Sequence, residues 1–241
     1  MNTFSEKQRQ FYNSSAKKYD NRSFGVYQRA NRNHYKKIEK ILSIVKKYIP
    51  KKILEVGTGT GIHAQWLLKK TKGKISYWGI DISEEMLKAS KERIKNIPIL
   101  TKPVFKCVDA NKLPFKNNFF DMVFCSGTLH HMDQPRQVVK EMARVLKTGG
   151  KMVIIEPNRN FPLNFIAGII DPIERNILKF SRNNFKIWAD GLIKINKLEN
   201  FNYTPPAPKL FFRFYDFIDN LFKTIPLIKD FSIMIYMEGT K

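Results

Sequence analysis

The chain has 241 residues, is 43% hydrophobic and 27% charged, and carries a formal net charge of +22. Those proportions fit one large globular domain with appendages. No run approaches the roughly 18 apolar residues of a membrane-spanning helix, and the first residues, Met1 to Lys7, hold no apolar signal-peptide core. Cys107 and Cys125 match neither CxxC nor any zinc spacing, so they read as free core thiols in a reducing compartment, and no metal site is expected. The expected location is the cytoplasm, with a peripheral seat at the inner membrane surface as its extension. Half of the positive excess lies ahead of residue 53. Two origins stay open for it: a basic surface that attracts nucleic acid, anionic lipid or an anionic substrate, or a coding bias that enriches Lys, Asn, Ile and Phe together.

The predicted elements begin with a helix over 5–22 and another over 26–48. In the second, Ile38, Ile41, Leu42 and Val45 form one apolar stripe that ends before Pro50. A regular alternation follows: strand 52–56, a glycine turn, helix 62–70, strand 74–80, helix 83–94 and strand 104–108. Next come strand 120–125, helix 134–146, a turn at Gly149-Gly150 and strand 152–155. Strands alternating with helices predict a parallel α/β sheet. Beyond Glu156, residues 162–197 read as mostly helical, and Pro205, Pro206 and Pro208 form a break. Residues 209–229 read as an amphipathic helix with Phe211, Phe214, Tyr215, Ile218, Leu221 and Phe222 on its apolar face, and 232–237 as a closing strand. The expected organisation is an N-terminal helical cover over 1–50, a core over 51–157, and a helical cap with closing strands of the same domain over 158–241.

The turn Gly57-Thr58-Gly59-Thr60-Gly61 directly follows a strand and opens a helix. Glycines there permit a tight turn and a close backbone approach to a ligand, and a helix N-terminus offers free N–H groups to an electronegative one. Asp81 stands 20 positions after Gly61, at the end of the second strand, where a carboxylate can accept from both hydroxyls of a ribose. Asp109, ending the third strand, can accept from an exocyclic adenine amine. Glu55, inside the strand before the turn, needs partners if buried, and a loop N–H or an ammonium group would provide them. A phosphate-cradling P-loop is excluded because Ile62-His63 replaces its Lys and Ser/Thr. A dinucleotide fingerprint survives loosely as Gly59-Thr60-Gly61-Ile62-His63-Ala64, which keeps a nicotinamide-dependent enzyme as a minor alternative.

These residues resemble the class I S-adenosylmethionine (SAM)-dependent methyltransferases, in the small-molecule group that includes the ubiquinone/menaquinone-biosynthesis enzymes. The resemblance runs from about Tyr19 to Pro157. It rests on Ile53 to Gly61, Gly79-Ile80-Asp81-Ile82-Ser83 with Met86, Asp109-Ala110 with Leu113-Pro114-Phe115, and Phe120-Asp121. It continues in Leu129-His130-His131-Met132 and Arg144 to Gly150. It implies a Rossmann-like, doubly wound, mostly parallel seven-stranded α/β sheet with SAM as cofactor. By position it further implies that Gly57, Thr58, Gly59 and Gly61 with Glu55 approach the methionine part, and that Asp81 with Ile82 holds the ribose. Met86 would pack on the adenine, Asp109 and Ala110 would meet its edge, Ser126 would lie near the methionine moiety, and Tyr19 would close over the cofactor.

The acceptor is less legible. His130 and His131 follow the fourth strand, beside the crevice where doubly wound sheets bind ligands, and an imidazole there can take a proton near neutral pH. Glu156, ending the fifth strand, is a further candidate base. Ser126-Gly127-Thr128-Leu129 occupies the place where base-amine methyltransferases carry Asp/Asn-Pro-Pro-aromatic, which argues against that chemistry. Nearly a third of the aromatic residues lie between Phe201 and Tyr236, so the region 209–231 can wall an apolar pocket, rest on a membrane, or simply cover the sheet. The expectation is O-methylation of a small, apolar or lipid-linked acceptor. Its rivals are an RNA methyltransferase that uses the basic N-terminal surface and a non-catalytic SAM-binding partner protein.

Overall fold

Apolar residues on both sides of the central strands require cover on both faces, and this sets the architecture. In the computed structural model, which describes residues 4–21, 32–204 and 209–241, seven strands form one sheet. They are β1 (Lys52–Val56), β2 (Ser76–Asp81), β3 (Val104–Cys107), β4 (Phe120–Ser126), β5 (Leu146–Pro157), β6 (Lys194–Phe201) and β7 (Met234–Thr240). Their order is β3-β2-β1-β4-β5-β7-β6. The first five run parallel, and β7 lies antiparallel to both β5 and β6.

Alternate residues face opposite layers. Ile53, Met122, Phe124, Val153 and Ile155 bury against α2 (Arg32–Tyr48), through Ile38, Ile41, Leu42 and Val45, and against α3 (Ile62–Lys70). Leu54, Val56, Val123, Cys125, Met152 and Ile154 bury against α5 (Pro135–Val145), through Val138, Val139 and Met142, and against Phe185 of α7 (Arg182–Ala189). Each fully buried aliphatic side chain is worth about 1.5–3 kcal/mol, so this pair of layers is the main source of stability. The remaining helices are α1 (Phe4–Ser15), followed by a 3₁₀ segment Ala16–Asn21, α4 (Glu84–Ile94), α6 (Pro162–Ile170) and α8 (Phe212–Thr224).

Two expectations are corrected. Residues 162–197 are mostly helical, as α6, a 3₁₀ turn Arg175–Lys179 and α7, but the helical reading runs too far: the chain enters edge strand β6 at Lys194. Its pairing with β7 shifts register between Ile195 and Lys197, so an inserted residue breaks the two-residue alternation. Ile195, Leu198 and Phe201 then recur every third position and imitate a helical stripe. The Gly149-Gly150 turn is absorbed into β5 as a bulge. Leu146 pairs with Phe120 and Lys151 with Met122, and Gly149 takes φ 79° in between. The start of the second helix at 26–31 and the proline break at 205–208 lie outside the described residues.

A buried ionic cluster ties the first and last thirds together. Arg32 of α2, 1% exposed, donates to Asp219 at 2.7 Å, to Asp216 at 2.7 Å and to Thr204 at 2.9 Å. Asp219 also accepts from the backbone N–H groups of Tyr203 and Thr204, both at 3.0 Å.

Candidate active site

The strand order reverses beside β1, whose neighbours β2 and β4 lead to elements on opposite sides. Open α/β sheets leave a crevice at this point, outside the C-terminal ends of the strands. A cavity of about 830 Å³, including its mouth, fills it. Gly57 to Thr60 form its floor, Asp81, Ile82 and Met86 one wall, Asp109 to Asn111 another, and Ser126 to Thr128 with His131 and Met132 the far end. The N-terminal segment roofs it with Ser5, Gln8, Tyr12 and Tyr19.

The glycine turn holds its shape through main-chain bonds. Gly57 and Thr58 N–H both donate to the Ile80 carbonyl at 2.9 Å. Gly59 has φ 52°, and the position its Cβ would take is open space. The main chain is therefore bare toward the cavity at that residue. Gly61 serves a different end: a Cβ there would meet Ser90 backbone at 3.0 Å, so its absence lets α3 and α4 approach.

Asp81 accepts from Gly59 N–H at 2.8 Å and Ser83 N–H at 2.9 Å. Its side chain keeps a window on the cavity, yet surrounding protein desolvates it. Burial first, with Glu55 adding repulsion, outweighs the two N–H donors and pushes the carboxyl up to about 6. Such a group gains from further donors in the cavity. Ser126 Oγ is buried with no hydrogen-bond partner among the described residues, and Asn111 Oδ1 is in the same state; both residues line the cavity.

Below the turn, Glu55 is 1% exposed and does not line the cavity. Hydroxyls and an imidazole satisfy it, not the N–H or ammonium expected: Thr58 Oγ1 at 2.8 Å, Tyr77 OH, and His63 Nδ1 at 2.6 Å. Burial, then the Glu55 charge, raises the Tyr77 phenol well above its ordinary value.

At the far end the two histidines differ. His131 faces the cavity, and its Nδ1 lies 3.3 Å from the Ile173 carbonyl, which can only accept. That tautomer leaves Nε2 with a lone pair. Burial and the neighbouring His130 charge lower His131 to about 4. His130 is buried behind it. Burial alone would lower this imidazole, but hydrogen bonds to Glu156 at 2.6 Å and to Glu174 raise it to about 9. Glu156 is 0% exposed; it accepts from Thr128 and Leu129 N–H at 3.0 and 2.9 Å through one oxygen and meets His130 through the other. Burial would push this carboxyl up, but His130 and those N–H groups bring it below the ordinary range.

Ten of the sequence-expected cofactor residues meet in one cavity lining: Tyr19, Gly57, Thr58, Gly59, Asp81, Ile82, Met86, Asp109, Ala110 and Ser126. Glu55 and Gly61 support the turn from outside it. Of the three candidate bases only His131 lines it; His130 and Glu156 lie behind, where Glu156 accepts from two loop N–H groups and meets His130. Sequence reasoning missed Tyr12, Asp20 and Asn111. Tyr12 stands edge-on to Tyr19 and His131 at 5.8 and 5.3 Å. Asp20 accepts from Thr60 Oγ1 at 2.8 Å and pairs with Arg93, clamping the N-terminal segment to the turn. The aromatic pair Phe11-Tyr12 on a predicted helix was the one available signal.

Comparison with known proteins agrees with this geometry. A family model described as "Methyltransferase domain" matches residues 54–154. The chain is 38% identical over 105 residues to the ubiquinone/menaquinone biosynthesis C-methyltransferase UbiE of Cupriavidus taiwanensis, covering 44% of this chain and 42% of that protein. It is 33% identical over 105 residues to methyltransferase GfsG of Streptomyces halstedii, covering 44% and 37%. The match thus spans about two-fifths of the length of these curated relatives. Among solved structures, a SAM-dependent methyltransferase of Thermotoga maritima superposes with TM-score 0.63 at 19% identity, covering 97% of this chain and 99% of that one. The [4+2]-cyclase SpnF superposes with TM-score 0.68 at 16% identity, covering 99% and 96%. At such identities the structures speak for the fold alone. Domain match, relatives and crevice converge on one region: residues 54–154 match a methyltransferase domain and are similar to the corresponding part of ubiquinone/menaquinone-biosynthesis methyltransferases, and SAM is the cofactor that this similarity implies.

Proposed function

We propose that the chain transfers a methyl group from SAM to oxygen on a small, apolar or lipid-linked acceptor. One observation carries this reading: a bare main chain at Gly59, a desolvated Asp81 carboxylate and an unpartnered Ser126 hydroxyl all face one cavity that ends at His131. These groups fit the cofactor's parts. Asp81 accepts from the ribose hydroxyls, Met86 packs on the adenine, and Asp109, Ala110 and Asn111 meet its edge. Ser126 and the turn from Gly57 to Gly59 hold the amino-acid end, and Tyr19 closes over it. When bound, SAM supplies a methyl group on a sulfonium, an electrophile that needs alignment and desolvation more than activation.

The chain's own residues provide the other half. His131 is neutral near pH 7 and turns a lone pair toward whatever occupies that end. His130 and Glu156 act through it as positioning residues, since neither reaches the cavity. Tyr12, Met132 and the N-terminal roof keep water from the reacting end. A non-catalytic SAM-binding role is the alternative, and formation of S-adenosylhomocysteine with a panel of phenolic and lipid-linked acceptors separates the two. His131→Ala should lower that turnover about a hundredfold while SAM affinity holds. Wild-type turnover in the variant would remove His131 from the mechanism.

A second reading concerns location. α6 exposes Leu163, Phe165, Ile166, Ile169 and Ile170, while α8 and its flanks expose Phe211, Phe214, Phe217, Leu221, Leu227 and Phe231. Apolar faces of this extent on a chain of net charge +22 support peripheral contact with an anionic membrane through 209–231.

A further inference from the structure

Behind the acceptor end of the cavity, three side chains converge that the cofactor does not use. His130, His131 and Glu174 each offer a ligand atom, and the three atoms lie within 4.8 Å of one another. His130 Nε2 stands 3.3 Å from Glu174 Oε2. Ligand atoms about 2.0–2.2 Å from a tetrahedral ion stand roughly 3.3–3.6 Å apart, so this pair already has the spacing a shared ion requires.

The supporting groups match the same purpose. A metal-binding imidazole gives its other nitrogen to a carboxylate or a main-chain carbonyl, which fixes tautomer and ring orientation. His130 Nδ1 is held by Glu156 at 2.6 Å, and His131 Nδ1 faces the Ile173 carbonyl at 3.3 Å. His130 Nε2 is thereby the nitrogen left to face Glu174, and His131 keeps Nε2 as its free ligand atom. Glu156 is fixed in turn by two backbone N–H groups. The Ile173 carbonyl also accepts from Gln8 at 3.0 Å, and Asn176 donates to the Met132 carbonyl at 3.1 Å, so the segment bearing Glu174 is pinned to the loop bearing the histidines. The Glu174 side chain is 31% exposed, which leaves a route from solvent.

We infer that His130, His131 and Glu174 form a binding site for one divalent transition-metal ion of the Zn²⁺ type, built from two imidazoles and a carboxylate beside the acceptor end of the cavity. Imidazole with one carboxylate suits such ions better than Mg²⁺ or Ca²⁺, which favour all-oxygen shells. Three protein ligands leave at least one position for an outside oxygen. His131 and Met132 line the cavity, so that oxygen would belong to the methyl acceptor. This last role rests on the function proposed above, with His131 then serving as a ligand to the ion in place of acting as the base; the presence of the ion does not.

Co²⁺ provides a visible-absorption probe. Titration into the metal-stripped chain should give one bound Co²⁺ per chain, displaced stoichiometrically by Zn²⁺. Glu174→Gln and His131→Ala should each weaken Co²⁺ binding about tenfold or more. SAM affinity, unchanged in Glu174→Gln, reports that the variant is folded. A wild-type chain that binds SAM but no Co²⁺, or variants that bind Co²⁺ as tightly as wild type, would overturn the site. A chain that binds Co²⁺ and not SAM would overturn the cofactor-site assignment instead and leave the ion site standing.

Discussion

Asp81 illustrates how one side chain stores part of a ligand's binding energy. Its two protein donors do not offset the burial of its charge, so the empty carboxyl sits at about 6, above its ordinary value of 3.8. The raised value means that the ligand-free fold prefers the protonated form and loses stability as pH rises from about 4 to about 6. Ribose hydroxyls that donate to the carboxylate favour the ionised form. SAM binding below pH 6 must then release a proton, and affinity should fall by up to about tenfold for each pH unit beneath that point. Calorimetry across that range checks this. Asp81→Asn should weaken binding and flatten the profile, whereas a flat wild-type profile would mean that Asp81 stays ionised without the ligand. His131 shows the opposite perturbation, held neutral by burial and by His130. The two shifts place a carboxylate that wants donors and an imidazole that offers a lone pair at opposite ends of one cavity.

Among the elements, α2 and α8 are joined through charge, not apolar packing alone. Arg32 is 1% exposed, and removing it leaves Asp219, equally buried, without its main counter-charge. Lys36 at 2.7 Å remains as partial compensation. Arg32→Ala should cost about 3–5 kcal/mol in denaturant unfolding, the range for breaking a buried pair on one side. A loss below about 1 kcal/mol would show that Lys36 takes over. The same elements explain what the sequence could tell. β1, the glycine turn and α3 lie within one local strand–turn–helix pattern, so their bounds were legible from residue spacing. β6 was not, because its bulge converts a two-residue period into a three-residue one. Ten residues of the cavity lining were legible because each ends a predicted strand, opens the following helix or belongs to a recognisable motif. Tyr12, Asp20 and Glu174 were not, because their approach to the site depends on how α1, the 3₁₀ segment and the cap fold back onto the sheet. Glu55 shows the converse. The need for partners was evident, but their identity as Tyr77 and His63 came from a neighbouring strand and the next helix.

Over the whole molecule, a SAM-binding crevice lies in a strongly basic chain whose cap exposes large apolar side chains. No helix among the described residues is long and apolar enough to cross a membrane. Peripheral contact through 209–231 therefore predicts co-flotation with anionic vesicles and none with neutral ones. Phe217→Asp with Leu221→Asp should abolish it without altering SAM affinity, since neither residue lines the cavity. Equal behaviour of wild type and variant would assign the apolar faces elsewhere. An RNA partner would show instead as binding that weakens steeply with salt and ignores those substitutions. The cofactor site underlies every other assignment, and titration calorimetry of SAM tests it most directly. One site per chain is expected, with affinity reduced about tenfold or more by Asp81→Ala, which removes a charged acceptor, and by Gly59→Val, which fills the bare main-chain face. No binding at millimolar SAM, or unchanged affinity in both variants, would contradict it.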